Sequence, residues 1–201
     1  RREANASKMQ YSELYTPATL VTLLVELDAQ QYAPEIRKLI SFLESSARPY
    51  GGWGYPSGDH SNTSDTSMTQ YVMLAMWEAH KAGIEVSPRV IENAAVWLSK
   101  TQDPSGGFGY QGKLPTGAGL TQQAAISVSL TTAGLCAIYL AQDILGLLRE
   151  AKKDDDGLPA ALSKVATKKA SAKRTNLAQT LFLGVESRSN AWLTKNLTFN
   201  I

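Results

Sequence analysis

With 201 residues, 43% hydrophobic and 19% charged, the chain has enough apolar material to bury a core and too little polarity for a disordered one. Its formal net charge of +2 argues for neither nucleic acid nor an anionic membrane as a partner, and one cysteine, Cys136, excludes an intrachain disulfide and a cysteine-built metal cluster. No charge-free apolar run is long enough to span a bilayer: Ala124 to Leu148 is interrupted by Ser127, Ser129, Thr131, Thr132, Gln142 and Asp143.

Residues 1–14 are polar and are expected to be loose. Leu20, Leu23, Leu24 and Leu27 recur at helical spacing between Thr16 and Gln30, with Pro17 tolerated in the first turn. Pro34 opens a second helix whose Ile36, Leu39, Ile40 and Leu43 form a buried stripe, and Arg48-Pro49 ends it. Asp65-Thr66-Ser67 offers an N-cap for a third helix, Thr66 to Ala82, stopped by Gly83. Its apolar residues Tyr71, Val72, Leu74, Ala75, Met76 and Ala79 surround more than one face, as in a helix packed on two sides.

Ser87-Pro88 starts a fourth helix, running to about Gln102, with Ile91, Ala94, Ala95 and Leu98 as its seam. A glycine-rich loop, Gln111 to Thr121, precedes a long helix expected from about Gln123 to Glu150, in which Gly134 and Gly146 mark close packing or a bend. Asp154 to Asp156 reads as a solvated loop, Leu158 to Lys173 as an Ala- and Lys-rich helix, and Leu177 to Val185 as the start of another apolar helix. The expected organisation is a repeat domain over 15–150 and a divergent helical part over 151–201, with both chain ends reading as cuts.

One pattern organises all of this. Gly51-Gly52-Trp53-Gly54-Tyr55 returns as Gly106-Gly107-Phe108-Gly109-Tyr110, 55 residues later. Phe42-Leu43 falls on Trp97-Leu98, Pro49 on Pro104 and Ile36 on Ile91 at the same offset. A period of this length, joining apolar helices to a Gly-rich turn, predicts stacked helix pairs. Ser129-Leu130-Thr131 also matches Ser67-Met68-Thr69, with Leu135, Ala137 and Ile138 in the places of Met73, Ala75 and Met76, which marks the inner helix of a third repeat.

The segment Val96 to Gly109, with Gln102, Gly106 and Phe108 at its key positions, resembles the Q-x-x-x-G-x-W repeat of squalene cyclases and protein prenyltransferases. Phe108 replaces the usual tryptophan, and in the first copy Trp53 is present while Ala47 replaces the glutamine. Asp65-Thr66-Ser67-Met68-Thr69-Gln70 and Ser129 to Leu135 also resemble members of this repeat group in bacterial proteins of unassigned role. The resemblance covers roughly residues 16–148 and implies an all-α fold, an α/α toroid of inner and outer helices. The corner residues Gly51, Gly52, Trp53, Gln102, Gly106, Gly107 and Phe108 are its structural signature, with Gln102 placed to cap a free backbone group.

The chemistry of that family does not transfer. The D-x-D-D acid of the cyclases does not occur in this sequence, and Cys136 with two scattered histidines, His60 and His80, gives no zinc set and no implied cofactor. Candidate catalytic residues are Asp65, Asp59 and His60, at or just before the start of an inner helix, with solvation and N-capping as the plain alternatives. Candidate binding residues are Gln70, Tyr71, Trp77, Trp53, Tyr55 and Tyr110. The basic set Lys164, Lys168, Lys169, Lys173 and Arg174 reads as a solvated face, and Asn62-Thr63-Ser64 and Asn196-Leu197-Thr198 as sequons of a kind common by chance.

A closed toroid of this type uses more hairpins than the three legible here, so the chain is expected to be an incomplete arc. The leading expectation is a domain that binds a protein partner, a second copy of itself or an apolar ligand without a complete catalytic set. A segment of an isoprenoid-handling enzyme is the alternative. Polymer or glycan binding along an exposed groove of Trp53, Trp77, Tyr55 and Tyr110 is the third.

Overall fold

Helix starts are set by capping residues and prolines, and the apolar stripes between them decide which faces meet. The computed structural model describes residues 14–55, 63–147 and 176–197, and the regular elements among them are helices, in an all-α fold. They are α1 (Tyr15–Asp28), α2 (Ala33–Ser45), α3 (Thr66–Lys81), α4 (Pro88–Thr101), α5 (Val128–Ile144) and α6 (Asn176–Asn196). Asp65 caps α3 by accepting from Met68 N–H, and Ser127 caps α5 by accepting from Leu130 N–H. Pro34 and Pro88 sit in the first turns of α2 and α4.

Helix α3 lies between α1 and α5, while α2 packs on α1, α4 on α5 and α6, and α6 on α5. This position explains the breadth of apolar sequence in α3, where Met68, Val72, Met73, Ala75, Met76 and Ala79 are all fully buried. The seam of α4 is buried as its pattern predicts, at Ile91, Ala94, Ala95 and Leu98.

The two Gly-rich corners are superposable in their bonding. In the first, Arg48 N–H donates to Gly52 O (2.9 Å) and Gly51 N–H to Arg48 O (2.9 Å); in the second, Asp103 N–H donates to Gly107 O (2.9 Å) and Gly106 N–H to Asp103 O (2.8 Å). Each aromatic residue then hangs on a helix threonine: Trp53 N–H donates to Thr69 Oγ1 of α3 at 3.1 Å and Phe108 N–H to Thr131 Oγ1 of α5 at 3.0 Å. Gly51 and Gly106 have φ of 102° and 106°, the left-handed region glycine favours. A Cβ on Gly51 would run into the Asn93 carbonyl of α4, and one on Gly106 into the Arg188 carbonyl of α6.

That last equivalence gives α6 the place beside the second corner that α4 has beside the first. Asn93 and Arg188, Trp97 and Trp192, and Leu98 and Leu193 share a single offset. A Cβ on Gly52 would meet the Trp97 ring, and one on Gly107 the Trp192 ring. Gln102, absent from the first corner, is fully buried and ties the second to α6. Its Nε2 donates to Gly106 O (3.0 Å), Val185 O (3.1 Å) and Ser189 Oγ (2.9 Å), while its Oε1 accepts from Arg188 Nε at 2.7 Å.

Several expectations are corrected. The fifth helix begins at Val128, not near Gln123, because Gln123 N–H bonds to Asp103 Oδ2 (2.8 Å) and Ala125 adopts φ 52°. It ends at Ile144, where Leu147 N–H reaches back to Gln142 O (2.7 Å) around Gly146 at φ 66°. Leu14, assigned to the loose segment, is buried at the start of α1. Leu20, Leu23 and Leu27 face outward, at 39, 51 and 62% exposure, while Pro17, Ala18 and Val21 make the buried side of α1. The final helix, Asn176–Asn196, does open where the apolar run from Leu177 predicts one. Asp59, His60, Asp154 to Asp156 and the Lys164–Arg174 stretch lie outside the described residues.

Candidate functional site

At the start of α3, four segments bring hydroxyl groups around one carboxylate. Asp65 is 1% exposed, and its Oδ1 accepts from Met68 N–H (2.8 Å) and from Ser67 Oγ (2.7 Å). Because the Ser67 proton is used there, the Tyr15 hydroxyl is the donor in its 2.8 Å bond to Ser67 Oγ. Tyr55 and Tyr110, equivalent positions of the two corners, join hydroxyl to hydroxyl at 3.3 Å. Tyr110 is placed by the strand-like run of its backbone beside α3: Thr66 N–H donates to Tyr110 O (2.9 Å), and Thr66 Oγ1 donates to Gly109 O (2.7 Å). Tyr71 covers the outer side, its ring edge-on to Tyr15 with centroids 5.1 Å apart.

The other oxygen of Asp65, Oδ2, is buried and has no hydrogen-bond partner. Burial is the main cause that pushes the Tyr15 hydroxyl up to about 12, with the charge of Asp65 and the neighbouring Tyr55 adding to it. The Tyr110 hydroxyl is also raised, first by its bond to Tyr55, then by burial and the Asp65 charge. Tyr15 and Tyr110 therefore stay neutral across the physiological range, beside a carboxylate with one oxygen unpartnered.

A second feature lies between α3 and α5. Trp77, Thr132, Leu135, Cys136, Tyr139, Leu140 and Asp143 line an open cavity of about 430 Å³ with a nearly all-apolar wall. Trp77 Nε1 donates to Asp143 Oδ2 at 2.7 Å, and the Lys81 ammonium lies 5.8 Å from the Trp77 ring centroid. Gln70 hydrogen-bonds the Cys136 thiol, whose pKa is nevertheless raised by burial, so it is not primed as a nucleophile.

The remaining candidates divide clearly. Asp65 is the N-cap of α3. Tyr55, Tyr71 and Tyr110 gather at its start, while Gln70 and Trp77 belong to the α3–α5 cleft. Trp53 is fully buried and donates from Nε1 to Leu43 O at 2.7 Å, so it corrects the expectation of an exposed aromatic groove. Gly51, Gly52, Gln102, Gly106, Gly107 and Phe108 build the corners. Among the described residues no three His, Cys, Asp or Glu side chains gather where they could hold a metal ion, and no helix is long and apolar enough to cross a membrane.

Two neighbours of these candidates escaped sequence reasoning. Tyr15 lay in a segment read only for its leucines, and no periodicity links it to Tyr55 and Tyr110. Asp143 sits on α5 one turn beyond Tyr139, where its charge suggested only a break in an apolar run. Comparison with protein-family models, curated proteins and solved structures finds no match to this chain.

Proposed function

We propose that this chain is a helical-hairpin repeat domain, an incomplete arc of an α/α toroid, that works by binding a further hairpin of the same kind. The observation that carries the reading is the row Leu20, Leu23 and Leu27 on the free side of α1. Among the described residues α3 packs on both α1 and α5, whereas this side of α1 meets no helix, and an i, i+3, i+7 leucine stripe left in water marks an interface. A second copy is the proposed occupant. Its far end also exposes leucines, at Leu181 and Leu183 of α6, so contact would run head to tail. Sedimentation velocity over micromolar to near-millimolar concentrations tests this. Association that Leu23→Asp abolishes without loss of helicity supports the reading; a monomer throughout overturns it.

A second reading is favoured by the α3–α5 cavity: an apolar ligand, of the isoprenoid type the repeat resemblance implies, seated against Trp77, Leu135 and Tyr139. A long-chain isoprenoid alcohol should alter the tryptophan emission of the wild type and not of Trp77→Phe. Identical titrations for the two proteins would remove this reading. No residue set for isoprenoid chemistry accompanies the cavity among the described residues, so it is read as a binding site and not a reaction centre.

A further inference from the structure

We infer that the leucine stripe of α1 and the α3–α5 cavity are parts of one docking face for the second copy, in which the cavity takes apolar side chains of the partner. The inference rests on the first reading above and enlarges its surface from one helix to three. Helices α1, α3 and α5 start at Tyr15, Thr66 and Val128, and aligning those starts aligns what they bury. Pro17, Ala18 and Val21 fall on Met68, Thr69 and Val72, all buried, and Thr69 and Val72 fall in turn on buried Thr131 and Gly134. In the same register Leu20 and Leu23 fall on Tyr71 and Leu74, and Trp77 falls on Tyr139. Carried on to α5, Leu23 and Leu27 fall on Cys136 and Leu140, and both of those line the cavity.

The three helices also run side by side in one direction. Tyr15 bonds Ser67 at the starts of α1 and α3, while Gln70 to Cys136 and Trp77 to Asp143 join α3 and α5 at a single offset. Equivalent positions on parallel, packed helices share a face. Every exposed large hydrophobic of the three, Leu20, Leu23, Leu27, Tyr71 and Tyr139, lies on that one face. Area selects the occupant. Three partly exposed leucines offer far less than the ~800 Å² per partner that a stable interface covers. The joined face runs about 16 Å along α5, from Thr132 to Asp143 at the helical rise, and crosses three helices spaced about 8–10 Å apart. That footprint suits a folded partner, and the second copy presents Leu181 and Leu183 on α6 to a cavity wall that is nearly all apolar.

Cys136 reports on the cavity, because it lines the wall and is the only cysteine of the chain. Its alkylation by iodoacetamide, measured at one pH beside sedimentation velocity over the same protein concentrations, tests the inference. Once the chain is associated, the rate should fall about tenfold below that of the dilute monomer. Leu23→Asp should hold it at the monomer value at every concentration. Tyr139→Asp, on the cavity wall and outside the stripe, should weaken association at least tenfold with helicity unchanged. Association in which Cys136 reacts as fast as in the monomer, or which persists undiminished in Tyr139→Asp, overturns the inference and leaves the first reading standing. A chain that stays monomeric throughout removes that reading, and the inference falls with it.

Discussion

The two Gly-rich corners share a backbone and differ in what ties it down. Around Gly51, the aromatic residue does the work: Trp53 Nε1 takes the Leu43 carbonyl at the end of α2, and Ser64 Oγ donates to Gly51 O at 2.8 Å. Around Gly106, Phe108 has no donor. The equivalent carbonyl, Leu98 O, is met at 3.4 Å by the Thr101 hydroxyl, and Gly106 O is held by Gln102 and Ser189. The comparison teaches that the shared part of the unit is geometric, a left-handed glycine against a carbonyl of α4 or α6 and an aromatic amide on a threonine of α3 or α5. The polar groups satisfying the freed carbonyls are interchangeable, provided that none is left bare.

The strongest way to break this comparison is at the shared feature. Gly51→Ala and Gly106→Ala should each cost more than about 3 kcal/mol in urea unfolding, since the new methyl meets backbone and the φ is unfavourable. If only one of the pair is severe, the corners are not equivalent. Gly83 is the control: its φ is 83° but a Cβ there meets nothing within 4 Å.

The next test targets what differs. Gln102→Ala should cost about 2 kcal/mol, because it removes donors from Gly106 O and Val185 O and the acceptor of a half-buried Arg188. The loss should appear as faster amide exchange in α6 and leave α4 protected. Trp53→Phe, which gives the first corner the aromatic of the second, should cost about 1 kcal/mol, since it removes the indole donor and leaves Leu43 O only the Ser46 N–H at 3.2 Å.

Most of the array was legible because the corners repeat 55 residues apart, Trp53 with Phe108, and the helix starts 62 apart, Thr69 with Thr131. What was hidden had physical causes. Helix α6 carries Trp192-Leu193 as the third copy of Phe42-Leu43 and Trp97-Leu98, but an insertion between α5 and α6 displaces it from the period. In α1, the leucine spacing predicts a helix correctly and says nothing of which side meets α3. There Pro17, Ala18 and Val21 are the buried side, and Leu20, Leu23 and Leu27 are left outside. The tyrosine cluster joins parts of the chain separated by 52 and 55 residues, and only the second separation follows the repeat.

The mildest effect belongs to that cluster. Tyr15 is neutral in the folded state beyond the pH at which an exposed tyrosine ionises, so its contribution is complete below pH 10 and is lost as pH rises toward about 12. Wild-type stability should fall over that interval, and Tyr15→Phe should flatten the fall. Asp103 works at the other end of the scale. Its burial alone would raise its pKa, but bonds from the Ser105 hydroxyl, Gln123 N–H and Ser105 N–H outweigh that and hold it low. The second corner therefore loses support only as pH drops through that depressed value.

Native-state hydrogen exchange at two amides, Trp53 and Phe108, tests the equivalence of the corners most directly. Both should be strongly protected, with Thr69→Val releasing Trp53 alone and Thr131→Val releasing Phe108 alone. A wild-type protein in which one amide is protected and the other exchanges like an open loop would contradict the account.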